Sequence, residues 1–112
     1  NKRTGLSEQL LDALDLSRHF SAVIGADAVV ERKPHPDHYR AAVTAAGGVL
    51  RRSLMVGDSI ADVAAARGAG APVIVYRHGY CDTGADQLGA DVLLDRFSDL
   101  APACRRLLAA RP

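Results

Sequence analysis

The stretch from Leu54 to Tyr76 constrains the fold more than any other part of the sequence. It joins an apolar run (Leu54-Met55-Val56), a polar turn (Gly57-Asp58-Ser59), an alanine-rich segment (Ala61 to Ala69) and a second apolar run (Val73-Ile74-Val75-Tyr76). A short apolar run without alternation reads as a strand buried on both faces, and such strands belong to parallel sheets covered by helices. The alanines at positions 61, 64, 65, 66 and 69 allow the intervening helix to lie close to a sheet; Gly70 stops it and Pro72 releases the chain. The unit is βαβ.

The flanking sequence continues this alternation. Leu6, Leu10, Leu11 and Leu14 recur at helical spacing and predict a helix over about residues 6–15. Ala22-Val23-Ile24, ended by Gly25, predicts a strand, and the polar loop from Glu31 to Asp37 is stiffened by Pro34 and Pro36. Pro36 suits a first helical turn, and Tyr39, Ala42, Val43 and Ala46 share a face of the helix it opens, up to Gly47-Gly48. Val92-Leu93-Leu94 predicts a further strand, and Ser98 the cap of a last helix carrying Leu100, Cys104, Leu107 and Leu108. Four short strands alternating with helices give the α/β class, a Rossmann-like parallel sheet with flanking helices.

Composition narrows the partners. With 112 residues and 48% apolar content the chain is long enough for one compact domain and too apolar for disorder. Its 14 basic and 13 acidic residues leave a net charge of +1 without a basic face, so no nucleic-acid partner is expected. Cys81 and Cys104 stand 23 residues apart with no CxxC, which gives neither a disulfide framework nor a zinc knuckle and suits a reducing cytoplasm. No apolar run approaches the roughly 20 residues that cross a bilayer, so no membrane partner is expected either.

Ligands of open parallel sheets bind at the carboxyl ends of the strands, which directs attention to Lys33, Asp58 and Asp62. Asp58 directly follows an apolar strand and suits a magnesium ligand, and Asp62 lies one helical turn further on, so two carboxylates can face one site. The same pair would also serve as a helix cap and a first-turn acid, and the spacing alone leaves both roles open. Lys33, held before Pro34, can neutralise a phosphate or a carboxylate. His35 and His38 flank Pro36-Asp37 and are expected in solvated loop and helix-start roles, since two histidines without a third ligand make a poor zinc site. Arg77, His78 and Tyr80 are expected at the surface near the mouth of the site, and Cys81 has no histidine base beside it in the sequence.

These segments together carry a resemblance. Asn1-Lys2, Lys33-Pro34-His35-Pro36-Asp37 and Gly57-Asp58-Ser59-Ile60-Ala61-Asp62 resemble the end of motif II, motif III and motif IV of the haloacid-dehalogenase superfamily, in its phosphoglycolate phosphatase branch. Ala64 through Gly70, Pro72-Val73, Gly79-Tyr80 and Gly89-Ala90-Asp91 onward to Leu100 extend the likeness. The resemblance implies magnesium-dependent hydrolysis of a phosphomonoester through an aspartyl phosphate, with a small phosphorylated metabolite, 2-phosphoglycolate first, as substrate. It implies catalytic roles for Lys33, Asp58 and Asp62, with Asp58 and Asp62 at the metal and Asn1 and Lys33 at the substrate phosphate. A phosphatase or phosphomutase for another sugar phosphate, or an inactive protein-interaction domain, are the alternatives. No DxDGT-like segment occurs in the chain. The resemblance therefore implies that residues 1–112 are only the C-terminal part of such a core, carrying the end of motif II, motif III and motif IV. On this expectation the nucleophile strand and the cap are absent, and the fragment is inactive by itself.

Overall fold

A computed structural model describes residues 1–79 and 84–110. Three parallel strands, β1 (Met55–Gly57), β2 (Val73–Tyr76) and β3 (Val92–Leu94), form one sheet in the order β1-β2-β3. Val56 lies opposite Ile74, and Val75 opposite Leu93, so the central strand is the four-residue run whose apolar character is continuous in the sequence. Four helices accompany the sheet: α1 (Thr4–Ala13), α2 (Pro36–Ala45), α3 (Ile60–Gly68) and α4 (Leu100–Ala109).

The pleat of β2 sorts the core into two layers. Val73 and Val75 point to one face and pack with Val63, Ala65 and Ala66 of α3 and Tyr39 of α2, whereas Ile74 points to the other and packs with Leu94 and with Ala103 of α4. Val73, Ile74 and Val75 are fully buried, each contributing about 1.5–3 kcal/mol of apolar burial. Ala65 and Ala66 are also fully buried, which is the close helix-to-sheet approach that their small side chains predict. α2 packs on α3, and this pair carries the segments on which the polar site stands.

Several expectations are corrected. Ala22-Val23-Ile24 is not a strand: the sheet of the described residues has three strands, and the carbonyl of Ile24 meets the His38 ring while the amide of Gly25 donates to the Thr4 hydroxyl at 2.9 Å. A run of three apolar residues does not distinguish a strand from a buried loop, and here side-chain partners take the place of a ladder. Ser98 does not cap the last helix; it lies in a 3-10 turn at Phe97–Asp99, and α4 begins after Asp99 without a side-chain cap. Of the expected stripe, Leu6 and Leu10 of α1 and Leu14 just after it face solvent, and Leu11 is half-buried.

The fold expected as a core defined by its gaps is corrected too. The described residues close a core on both faces of the sheet, and the N-terminal segment, which buries no residue of α1, is held by polar contacts to the residues around Gly25 and Asp27. Thr4 accepts from Gly25 and donates its amide to Asp27 at 2.6 Å, and Asp12 accepts the Ser17 hydroxyl at the end of α1. Tyr80 and Cys81 lie outside the described residues. No helix among the described residues is long and apolar enough to cross a membrane.

Candidate active site

The site forms where β1 ends and α3 begins. Gly57 closes the strand, Asp58 and Ser59 make the turn, and Asp62 sits in the first turn of α3, where its carboxylate folds back over the turn that precedes it. Asp62 Oδ2 accepts the amide of Asp58 at 2.9 Å, the amide of Ser59 at 3.1 Å and the Ser59 hydroxyl at 3.0 Å. These donors point out of the helix N-terminus and have no partners within the helix, so the acid completes the turn electrostatically as well as geometrically. The local reading of Asp62 as a helix-start acid therefore holds, and it does not exhaust the residue.

The other oxygen reaches across the fold. Lys33 Nζ lies 2.6 Å from Asp62 Oδ1, a pair of which the acid side chain is almost fully buried and the lysine largely so. Lys33 arrives from the loop before α2, whose start is set by Pro36 at its first position and by His35, whose ring accepts the amide of Asp37 at 3.1 Å. Asn1 donates its side-chain amide to the carbonyl of Lys33 at 2.9 Å, so the residue expected beside a phosphate lies beside the lysine. Lys33, Asp62, Asn1 and the main chain of Asp58 are thus brought together.

Two glycines make this closeness possible. A methyl group on Gly57 would overlap the Asp62 carboxylate, and one on Gly79 would overlap the Asp58 side chain. Gly57 is legible in the sequence as a position needing close approach. Gly79, remote in sequence, carries no such signal for Asp58. Beside Lys33 a cleft of about 300 Å³ is lined by Asn1, Gly25, His38, Tyr39 and Met55 among others.

Burial works to raise the pKa of Asp62, but hydrogen bonds from Lys33, Asp58 and Ser59 and the lysine charge outweigh it and hold the carboxyl below its ordinary value. The unfolded chain then takes up this proton at a higher pH than the native one. The stabilisation is present in full above the ordinary carboxylate pKa and is lost as pH falls through the lowered native value. Acid titration of unfolding is expected to show the wild-type chain losing stability below about pH 4, with a shallower loss in Asp62→Asn.

The remaining candidates separate. His38, expected in solvent, is buried under the Lys33 loop, with its ring between the Lys33 amide and the Ile24 carbonyl. Arg77 and His78 are exposed as expected, gathered around Asp95, with Arg77 Nε 2.5 Å from its carboxylate. Among the described residues no group of three or more His, Cys, Asp or Glu side chains assembles a cage for a metal.

The haloacid dehalogenase-like hydrolase family matches residues 1–76. Phosphoglycolate phosphatase of Caulobacter vibrioides is 46% identical over 112 residues, which is 100% of this chain and 47% of that protein. The crystal structure of a predicted phosphoglycolate phosphatase from Haemophilus somnus superposes with a TM-score of 0.78 at 30% identity, covering 85% of this chain and 43% of that one. CbbY from Rhodobacter sphaeroides in complex with phosphate gives a TM-score of 0.63 at 36% identity, covering 76% of this chain and 37% of that one. The chain spans about half the length of the curated relatives it matches.

Two expectations are overturned here. The likeness is not confined to separate motifs of the chain, because the relatives match along 100% and 99% of its length. Against the expectation of an inactive fragment, Lys33 and Asp62 are engaged with each other in a largely buried pair.

Proposed function

This chain belongs to the haloacid dehalogenase-like hydrolase family, and from that premise we propose that it serves a magnesium-dependent phosphatase reaction in which an aspartate carboxylate takes the phosphoryl group, the substrate's alcohol leaves with a proton, and water then cleaves the aspartyl phosphate to inorganic phosphate. The observation that carries the proposal is the buried ion pair of Lys33 with Asp62, set one helical turn from Asp58 at the carboxyl end of a parallel strand. An ammonium has three donors. Asp62 occupies one, and the others are available to oxygens of a phosphate, where a fixed positive charge favours the charge that spreads over the transferring group.

Asp58 and Asp62 fit magnesium by their donor chemistry. Magnesium takes hard oxygen ligands, keeps several waters and is held through one or two carboxylates rather than a full protein cage. Asp58 would hold the ion directly. Asp62, whose oxygens already accept donors from Lys33, Asp58 and Ser59, would hold its surroundings in place. When bound, the ion would supply charge neutralisation between an anionic substrate and an anionic nucleophile. Lys33 would orient the phosphate, and Asn1 would steady the lysine through its carbonyl.

The substrate is a small phosphorylated metabolite in this proposal, and 2-phosphoglycolate is the specific compound. The Caulobacter vibrioides relative, which bears the corresponding name, supports that choice. A cytoplasmic setting is proposed on the cysteine pattern. Phosphate release from a panel of phosphomonoesters, with and without magnesium, tests the reading. Release that requires magnesium and is fastest with 2-phosphoglycolate is expected; faster turnover of a larger sugar phosphate would overturn the substrate assignment, and release indifferent to magnesium would overturn the mechanism.

A further inference from the structure

We propose that His38 is a positioning residue for Lys33, its neutral ring protonated on Nε2 and fixing the backbone from which the lysine reaches Asp62. The inference rests on the reading of Lys33 as the phosphate-facing cation. His38 lies in the first turn of α2 and is 7% exposed. Its Nε2 lies 2.7 Å from the carbonyl oxygen of Ile24, and the amide of Lys33 points at Nδ1 from 3.3 Å.

These two partners assign the tautomer. A carbonyl oxygen only accepts, so Nε2 carries the proton; a backbone amide only donates, so Nδ1 presents its lone pair. The other polar group of the Lys33 residue, its carbonyl, is met by Asn1 at 2.9 Å. Both main-chain polar groups of Lys33 are therefore held by side chains, and neither by a helix or a sheet ladder.

The ring also joins distant segments. The residues after Ile24 are tied to the N-terminal turn, Gly25 through the Thr4 hydroxyl and Ala26 through the carbonyl of Lys2 at 2.9 Å. His38 thus connects the 24–27 segment to the lysine loop and to α2. Such a joint matters because a lysine is a point charge on a flexible four-carbon stem, and the stem alone does not set where Nζ stands. Fixing the main chain restricts that freedom before substrate arrives, and displacements of about 1 Å in such groups cost on the order of 100-fold in rate.

Two near-isosteric substitutions separate positioning from bulk. His38→Asn keeps an acceptor at the Nδ1 position, facing Lys33. His38→Gln keeps a donor at the Nε2 position, facing Ile24. Both are expected to lower the thermal midpoint, since each leaves one buried partner unmet. Phosphate release from 2-phosphoglycolate is expected to stay within about 3-fold of wild type in His38→Asn and to fall about 10-fold or more in kcat in His38→Gln, with KM little changed. Equal turnover in the two variants would overturn the inference.

A second measurement does not need turnover. Nitrogen-15 spectra of the wild-type ring are expected to show a proton on Nε2 and none on Nδ1. Hydrogen exchange at the Lys33 amide is expected to be slow in wild type and His38→Asn and fast in His38→Gln. A proton on Nδ1, or identical Lys33 exchange in all three proteins, would contradict the assignment. If wild-type protein released no phosphate, the proposed function would fall, and the ring spectrum and amide exchange would still decide the role of His38.

Discussion

Asp62→Ala is expected to lower the stability of the chain by about 3 kcal/mol, read as a fall in the urea midpoint with an unchanged slope. The size follows from what the carboxylate satisfies. One oxygen holds Lys33 and the other takes the amides of Asp58 and Ser59 and the Ser59 hydroxyl. Removing it leaves a largely buried ammonium without its counter-ion and strips the start of α3 of its acceptor. Lys33 keeps some access to water, which sets the expected loss at the lower end of the range for a broken buried pair. A loss below about 1 kcal/mol would place the pair with exposed surface bridges and remove the structural basis for treating Lys33 as fixed.

Much of this site is legible in the amino-acid sequence. The continuous apolar run Val73 to Tyr76, the small residues Ala65 and Ala66 and the turn at Gly57 to Ser59 are local signals with one physical outcome, a buried strand, a close helix and a carboxyl-edge loop. Asp58 and Asp62 stand at the carboxyl end of β1 as the rule for parallel strands expects, whereas Lys33 follows no strand and reaches Asp62 from the loop before α2.

What is not legible depends on contacts between segments. Ala22-Val23-Ile24 has the composition of a strand, but the Ile24 carbonyl is taken by a histidine from α2, a competition that no window of three residues contains. His38 sits between polar residues in sequence and reads as solvated; in the fold it is buried with its ring between the Ile24 carbonyl and the Lys33 amide. Ser98 is a good cap in isolation, yet a 3-10 turn consumes it before α4 begins. Gly79 is likewise explained only by the presence of Asp58 against it.

The second large effect is expected at Asp58. Asparagine has nearly the same volume, so the approach of Gly79 is undisturbed, and the substitution removes the negative charge at the end of β1 while leaving the acceptor role of Asp62 intact. Metal affinity is expected to fall about 100-fold or more, because the charged oxygen that would contact the ion is replaced by a neutral amide.

The most direct test of the proposed mechanism is therefore a magnesium titration of phosphate release from 2-phosphoglycolate, run on wild type and Asp58→Asn. Magnesium-dependent release by wild type, with the variant at least about 100-fold slower at low magnesium and partly restored as the ion is raised, is the predicted result. Release of the same rate and the same magnesium dependence in both proteins would contradict the placing of the metal at Asp58, and with it the proposed mechanism.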